Sequence, residues 1–241
     1  MKVLFNYKNH SLMNADLPIG KPNISLCKEN SDKINDMHIF YDYPNMYDTE
    51  IEYLESMGTQ WIDTDYKPNQ NTQLKITYSI NTITSDASMP FGVRDAGNAT
   101  DGKNGIFRTH GTNTNRIAFG NGSSTNVNIS GYNTSNTIYE VYLNKRYVYI
   151  DSNLVTTITN TTWSNSRSIY LFGASTAGSF TFGVPMKIYS CKIWDNDTLV
   201  RDYIPVKKNN IGYLFDKVSG QLYGNAGAGS FVCGPDLNIS N

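Results

Sequence analysis

Glutamate occurs only five times in 241 residues, at Glu29, Glu50, Glu52, Glu55 and Glu140, and cysteine and histidine three times each. Scarce glutamate removes the commonest exposed helix former, and no stretch of the chain reads as a helix. Cys27, Cys191 and Cys233 are an odd set without short spacings, which fits neither a disulfide framework nor a zinc pattern. They read as thiols kept reduced during folding, with a Cys191 to Cys233 bridge as the alternative. Charge of one sign is also lacking: 20 Lys and Arg face 21 Asp and Glu. Without a basic field there is nothing to displace counterions from a polyanion, so nucleic acid is excluded as a partner. No apolar run approaches the roughly 18 residues a membrane span needs, so no membrane partner is expected. Residues 1–10 lack the continuous apolar segment of a secretory signal, which implies use without export or a trimmed mature form.

Asn, Ser and Thr make up about 30% of the chain, with 17 Tyr and 19 Gly beside them. Asn and Ser favour turns and Thr favours strands, so the composition describes many short strands joined tightly. With 39% hydrophobic residues there is material for a full core. Turn residues recur at intervals of about 8 to 12 residues from Glu50 onward, the spacing of a sandwich or barrel. Strands are expected at 51–56, 61–66, 73–83, 89–94, 105–109, 116–120, 126–129, 137–143, 147–150, 154–158, 168–172, 186–194, 198–205, 212–216 and 221–223. Alternation is cleanest where Leu74, Ile76, Tyr78 and Ile80 share one face and Lys75, Thr77 and Ser79 the other. Residues 138–143 carry aromatics on both registers, which suits a strand between two partly covered surfaces. Turns at 144–146 and 151–153 make residues 138–154 a three-strand meander. Residues 1–48 are irregular, with Pro18, Pro22 and Pro44, yet hold aromatic clusters at Phe5 with Tyr7 and at 39–43. The organisation expected is therefore an arm over 1–48, a β domain over 49–234 and a tail over 235–241. The arm either folds back on its own domain or anchors into a partner.

Two blocks carry a family signal. Residues 51–69, IEYLESMGTQWIDTDYKPN, resemble the opening of laminin-G-like, concanavalin A-like jelly-roll domains of intestinal bacteria and their tailed phages. The block from 187–194 through 199–206 to 212–216, Gly220, Gln221 and 225–227 resembles the close of the same domains. The resemblance implies an all-β, two-sheet antiparallel jelly-roll sandwich, a fold used for lectins, adhesion modules and some glycosidases. The chain adds physical agreement: 195–197 reads as a hairpin turn, and Pro205 as the end of a strand, where its missing N–H does no harm.

Catalytic patterns are weak. Glycan hydrolysis needs two carboxylates on opposite sides of the bond. Glu50 with Glu52 opens the domain instead of crossing a sheet, and Asp63 with Asp65 beside Trp61 reads as turn-capping carboxylates. His10, His38 and His110 supply no Ser-His-Asp set, because only His110 lies in the domain. The glycines at 173, 178 and 183 lack the Lys-Ser/Thr that follows a phosphate loop. No enzyme, and no cofactor, is expected; structural calcium is an open alternative through the oxygen-rich loop 95–104, although its spacing is not that of an EF-hand. Glycan binding, in contrast, needs aromatic faces and planar polar groups at strand ends or loops. Arg94 with Asp95, His110, Asn121, Tyr132 with Asn133, and Trp163 with Asn165 all fall there. Trp163 stands out because its neighbours, Thr161, Thr162, Ser164 and Asn165, are all polar.

Two functions follow. The first is a non-enzymatic phage virion surface protein, a capsid decoration, head fibre or tail-associated module. It would attach to other virion proteins through the arm and display an adhesion domain toward glycans or a host surface. Assembly would take place in the host cytoplasm, and the arm could instead drive homotrimerisation. The alternative is a bacterial carbohydrate-binding lectin module or glycoside hydrolase, extracellular or at the cell surface.

Overall fold

The structure is a computed structural model that describes residues 23–25, 40–42, 46–83, 87–95, 103–110, 114–122 and 125–237. The first strands are β1 (Asn23–Ser25), β2 (Phe40–Asp42), β3 (Thr49–Glu50), β4 (Leu54–Met57), β5 (Ile62–Asp63) and β6 (Thr72–Ile80). Next come β7 (Ala87–Arg94), β8 (Lys103–His110), β9 (Thr114–Asn121), β10 (Asn126–Ser130), β11 (Tyr139–Asn144), β12 (Tyr147–Ile150) and β13 (Asn153–Thr157). The last are β14 (Tyr170–Leu171), β15 (Ala174–Thr176), β16 (Ser179–Thr181), β17 (Pro185–Asp195), β18 (Thr198–Lys208), β19 (Ile211–Asp216), β20 (Gln221–Tyr223) and β21 (Val232–Cys233). Among the described residues there is no α-helix, and thus none long and apolar enough to cross a membrane.

β1 and β2 belong to one unit, Met1–Met46, and pair antiparallel with Ile24 opposite Tyr41. The expected Phe5 and Tyr7 cluster lies outside the described residues, as does Cys27. All other elements belong to a second unit, Tyr47–Asn241, built from two packed sheets. The larger, of eleven strands, has the order β13-β12-β11-β6-β17-β18-β19-β20, with β4 and β21 continuing beside β17 and β3 beside β18. The smaller, of eight, runs β10-β9-β8-β7-β14-β5, with β15 and β16 beside β7. Every pairing is antiparallel except β15 with β7. This is the expected two-sheet sandwich.

Alternation places the core. Leu74, Ile76, Tyr78 and Ile80 of β6 point inward with Val141 and Leu143 of β11 and Met186, Ile188, Cys191 and Ile193 of β17. Phe91, Val93, Phe107, Ile117 and Phe119 of the smaller sheet meet them. Cys191 and Cys233 are free thiols. Burial pushes the Cys191 thiol well above its ordinary value. A buried carboxylate pins the closing hairpins: Asp216 accepts hydrogen bonds from Asp202 N at 2.8 Å, Val218 N at 3.1 Å and Ser219 Oγ at 2.7 Å. Arg201 Nε, 3.8 Å from that carboxylate, donates to Thr64 O at 3.0 Å and so ties β18 to the segment after β5.

The turns follow from residue type. Asn196 and Asp197, Asp151 and Ser152, and Asn209 and Asn210 are all at positive φ in two-residue hairpins, the geometry that matches strand twist and that Asn and Asp tolerate. Pro205 corrects one expectation, since β18 continues past it to Lys208. Its carbonyl accepts from Ile51 N at 3.1 Å, so its missing N–H faces the side where the short β3 stops pairing, and no ladder bond is lost. The β15–β16 hairpin was not expected, because Ala, Ser, Thr and Gly give little periodic signal. Residues 235–237 are held at the domain by Glu52 N donating to Pro235 O and Leu237 N donating to Glu50 O.

Candidate functional site

Three loops meet at one end of the sandwich. Residues 69–71 lead into β6, residues 162–164 precede β14, and 195–197 form the β17–β18 hairpin; β8 begins beside them at Lys103. They border a shallow, widely open cleft of about 630 Å³ lined by Asn69, Gln70, Asn71, Lys103, Thr162, Trp163, Ser164, Asp195 and Asn196. That volume lies within the range of small-ligand sites.

Backbone and side-chain bonds fix the loops to one another. Gln70 N donates to Trp163 O, Trp163 N donates to Gln70 Oε1 at 3.2 Å, and Asn69 bridges Ser164. Asn69 Nδ2 donates to Asp195 Oδ1 at 3.2 Å, and Asn196 N donates to Asn71 O. Below them the Tyr66 hydroxyl lies 2.7 Å from Thr72 Oγ1, and burial pushes its pKa up to about 12, so it stays a phenol. The loop framework consumes Asn69 and one oxygen of Gln70. Among the described residues the Gln70 NH₂, the Asn71 and Asn196 amides, the Thr162 and Ser164 hydroxyls and the Lys103 ammonium have no protein partner, and all six residues line the cleft. Planar amides of this kind offer a donor pair and an acceptor in fixed geometry, which suits vicinal hydroxyls.

The residues expected from sequence divide between the two ends of the sandwich. Arg94, Asp95, Asn121 and Trp163 gather around the start of β8: Asp95 N donates to Lys103 O, Lys103 pairs with Asn121, and Asn121 N donates to Thr161 Oγ1. His110 ends β8, about 24 Å away at a strand rise of about 3.4 Å. Tyr132 follows β10, whose last residue, Ser130, pairs with Thr114 near that same end. No single site can hold all six.

Two expectations of exposure are corrected. Trp163 is only 5% exposed, because Phe119 of the distant β9 meets its ring edge-on at 4.9 Å; it forms the floor of the cleft, with little free face. Arg94 is 3% exposed, its guanidinium 5.0 Å from the Phe182 ring centre. Tyr132 is half-buried, at positive φ and edge-on to Tyr139. Asn165 is fully engaged: N to Pro68 O, Nδ2 to Lys103 O, and Oδ1 accepting from Arg167 N. It shapes the cleft from behind. Asn121 is exposed, and the His110 side chain lies outside the described residues.

Asp63 behaves as a turn-capping group, and Asp65 supplies the N–H that it caps. Asp63 Oδ1 accepts from Asp65 N at 2.9 Å, with Asp65 at positive φ, while Trp61 stacks on Tyr170 at 4.1 Å and Phe180 at 5.6 Å. Among the described residues no three His, Cys, Asp or Glu gather as metal ligands. Of loop 95–104, the alternative site for structural calcium, residues 96–102 lie outside the described residues.

No family model and no curated protein matches this chain. Solved structures do. The Ruminococcus gnavus IT-sialidase CBM40 bound to alpha2,3 sialyllactose aligns over 61% of this chain and 91% of its own, at 11% identity and TM-score 0.48. A "putative carbohydrate binding protein" from Bacteroides ovatus ATCC 8483 aligns over 79% of this chain and 61% of its own, at 12% identity and TM-score 0.53. The second likeness shows a shared β-sandwich fold. Neither neighbour is described as laminin-G-like or as part of a virion, so the resemblance to such domains rests on residues 51–69 and the closing block alone.

The residues that sequence reasoning missed are Asn69, Gln70, Asn71, Lys103, Thr162, Ser164, Asp195 and Asn196. The signal was present in the run of amide residues after Pro68, to which no role was assigned, and in 195–197, which reads as a hairpin turn. What the sequence could not supply was their convergence.

Proposed function

We propose that this chain is a non-catalytic carbohydrate-binding β-sandwich that holds a glycan in the cleft between loops 69–71, 162–164 and 195–197. The observation that carries the reading is the set of unbonded amides and hydroxyls, from Gln70, Asn71, Thr162, Ser164 and Asn196, over the Trp163 floor. Hydroxyl-rich ligands lose many water hydrogen bonds on binding, and pre-positioned amides replace them without ordering new side chains. Among the described residues the lining includes a single carboxylate, Asp195, and hydrolysis with a proton donor and an opposed base or nucleophile needs two. The shared fold with a structure described as carbohydrate-binding points the same way. The carbohydrate-binding alternative thus becomes the main reading in place of the virion role, with action outside cells or at a surface where glycans are met. Attachment through the arm and trimerisation form no part of it.

A glycan array followed by calorimetric titration of the retained sugar tests it. Gln70→Ala and Asn196→Gly, the latter chosen because glycine keeps the positive φ of the turn, should each weaken binding about 3- to 10-fold. Retention of no glycan by the unaltered protein, or release of reducing ends from a bound one, would overturn the reading.

A further inference from the structure

The outer face of the larger sheet carries a second surface that the cleft does not use. Opposite the inward Val141 and Leu143, Tyr142 of β11 points outward. Register sets its neighbours: Tyr149 of β12 lies directly across on one side and Lys75 of β6 on the other, while Lys75 in turn faces Lys192 of β17. One step along the strands, Gln73 sits opposite Trp194. The Tyr142 and Tyr149 rings stack at 5.9 Å with 26° between planes, and Trp194 meets Tyr142 edge-on at 6.1 Å. All three rings are half-buried, so part of each remains open to solvent.

The rings are held in place. The Tyr142 hydroxyl donates to Gln73 Oε1 at 2.8 Å, Gln73 Nε2 donates to Asp197 Oδ1, and Lys145 Nζ donates to Asp197 Oδ2 at 2.9 Å. Burial raises the Tyr142 pKa, which keeps that donor protonated. The charges cancel locally: Lys75 pairs with Glu140 at 2.8 Å, Lys145 with Asp197 and Lys192 with Asp202 at 3.2 Å. Aromatic faces interleaved with amides and hydroxyls suit the alternating C–H and hydroxyl surfaces of a sugar ring. An acidic chain would find each of these three ammonium groups already engaged, and a protein partner would have to desolvate them.

Resting on the carbohydrate-binding reading, we infer that Tyr142, Tyr149 and Trp194 form a platform for the further units of a neutral oligosaccharide whose first unit lies in the cleft. Continuity supports this, because the Asp195–Asp197 hairpin separates the two: Asp195 and Asn196 line the cleft, and Asp197 anchors the platform through Gln73. The ligand is then a chain and not a lone terminal sugar, and affinity rises with its length.

The test uses the full chain with cello-, manno- and malto-oligosaccharides of one to six units, and with sialyllactose and oligogalacturonate as acidic probes. The preferred neutral series should gain about tenfold or more from one unit to six. Trp194→Ala should erase most of that gain, on the scale of an aromatic anchor, without altering monosaccharide affinity, and Trp194→Phe should restore much of it. A length gain that survives Trp194→Ala, while Gln70→Ala weakens every length, overturns the platform and leaves the cleft standing. Preference for the acidic probes overturns the neutral assignment, and a change of sedimentation coefficient in Trp194→Ala would mark the face as a contact between copies. Binding of no probe by the unaltered protein removes both readings.

Discussion

The two sheets turn unlike outer faces away from the core they share. On the smaller sheet Gly92, Ile106 and Ala118 lie in register across β7, β8 and β9, and with Met89 and Ala174 they are sealed by Phe182. A Cβ on Gly92 would come within 2.9 Å of Ile106 and 3.0 Å of Ala174, so small residues permit the close approach there. Arg94 is drawn into the same cover by its contact with Phe182. On the larger sheet the outward face around β11 carries large rings with polar tips: Tyr142 is tied to the Gln73 amide, Tyr149 stacks on the Tyr142 ring, and the Lys75–Glu140 ion pair lies beside them. A face becomes structural when a side chain from elsewhere in the chain is laid over it, as Phe182 is here. Tyr142, Tyr149 and Trp194 each stay partly open to solvent. The lesson is that aromatic content alone does not mark a ligand surface. Cover decides it, and cover is a long-range property.

The comparison breaks most decisively on stability. Ile106 is fully buried, so Ile106→Ala removes packed methylenes and leaves a cavity, and should lower the unfolding free energy by about 2–5 kcal/mol in urea titrations. Sugar affinity should not change. Trp194→Ala should do the opposite, with a stability change within about 1 kcal/mol and a large loss of oligosaccharide binding. If Trp194→Ala unfolds the protein as readily as Ile106→Ala, the outer face of the larger sheet is packing and not a platform.

These assignments also mark how far the sequence could be read. The alternation of residues 74–80, the meander over 138–154 and the Asn and Asp hairpins are local patterns with local physical causes, and the strands built on them appear within a few residues of expectation. Tyr142 was legible in part, since aromatics on both registers of 138–143 predict a strand covered on two sides. Which of those rings stays open was not, because Trp194 reaches Tyr142 from another hairpin across β6. Trp163 shows the converse. Its polar chain neighbours predict an exposed ring, and Phe119 buries it from a strand that no short window includes. Arg94 fails for the same reason, through Phe182. The cleft lay beyond reach because three loops far apart in sequence supply it: 195–197 reads alone as a hairpin turn, 161–165 stands out only for Trp163, and the amides of 69–71 suggest no role on their own.

A smaller effect sharpens the electrostatic half of the comparison. Glu140→Gln releases Lys75 from its carboxylate, and because both side chains are partly exposed the stability should move by no more than about 1 kcal/mol. The freed ammonium lies beside the Tyr142 ring, 6.0 Å from its centre. Oligogalacturonate, ignored by the unaltered face, should then bind several-fold better at low salt, and the gain should vanish near 1 M salt, where the screening length falls to about 3 Å. No gain would mean that the neutrality of the platform has some other origin than the Lys75–Glu140 pair.

The smallest expected effect is on pH, and its sign follows from Asp197. The hydrogen bond from Lys145, and then that from Gln73, hold its carboxyl below the ordinary carboxylate value. A depressed folded-state pKa means that the contribution of these bonds is complete above the ordinary value of about 3.9 and is lost as pH falls through the folded-state pKa. Between pH 7 and pH 5 oligosaccharide affinity should therefore be flat. In stronger acid, protonated Asp197 releases Lys145 and weakens the acceptor for Gln73, the Tyr142 ring loses its tether, and the length-dependent part of the affinity should decline before the monosaccharide part. Asp197→Asn keeps an acceptor for Gln73 but removes the titrating group, so its affinity should be slightly lower at neutral pH and its length gain insensitive to acid. An acid decline that persists unchanged in Asp197→Asn would place the titrating group elsewhere and detach the hairpin from the platform it is argued to hold.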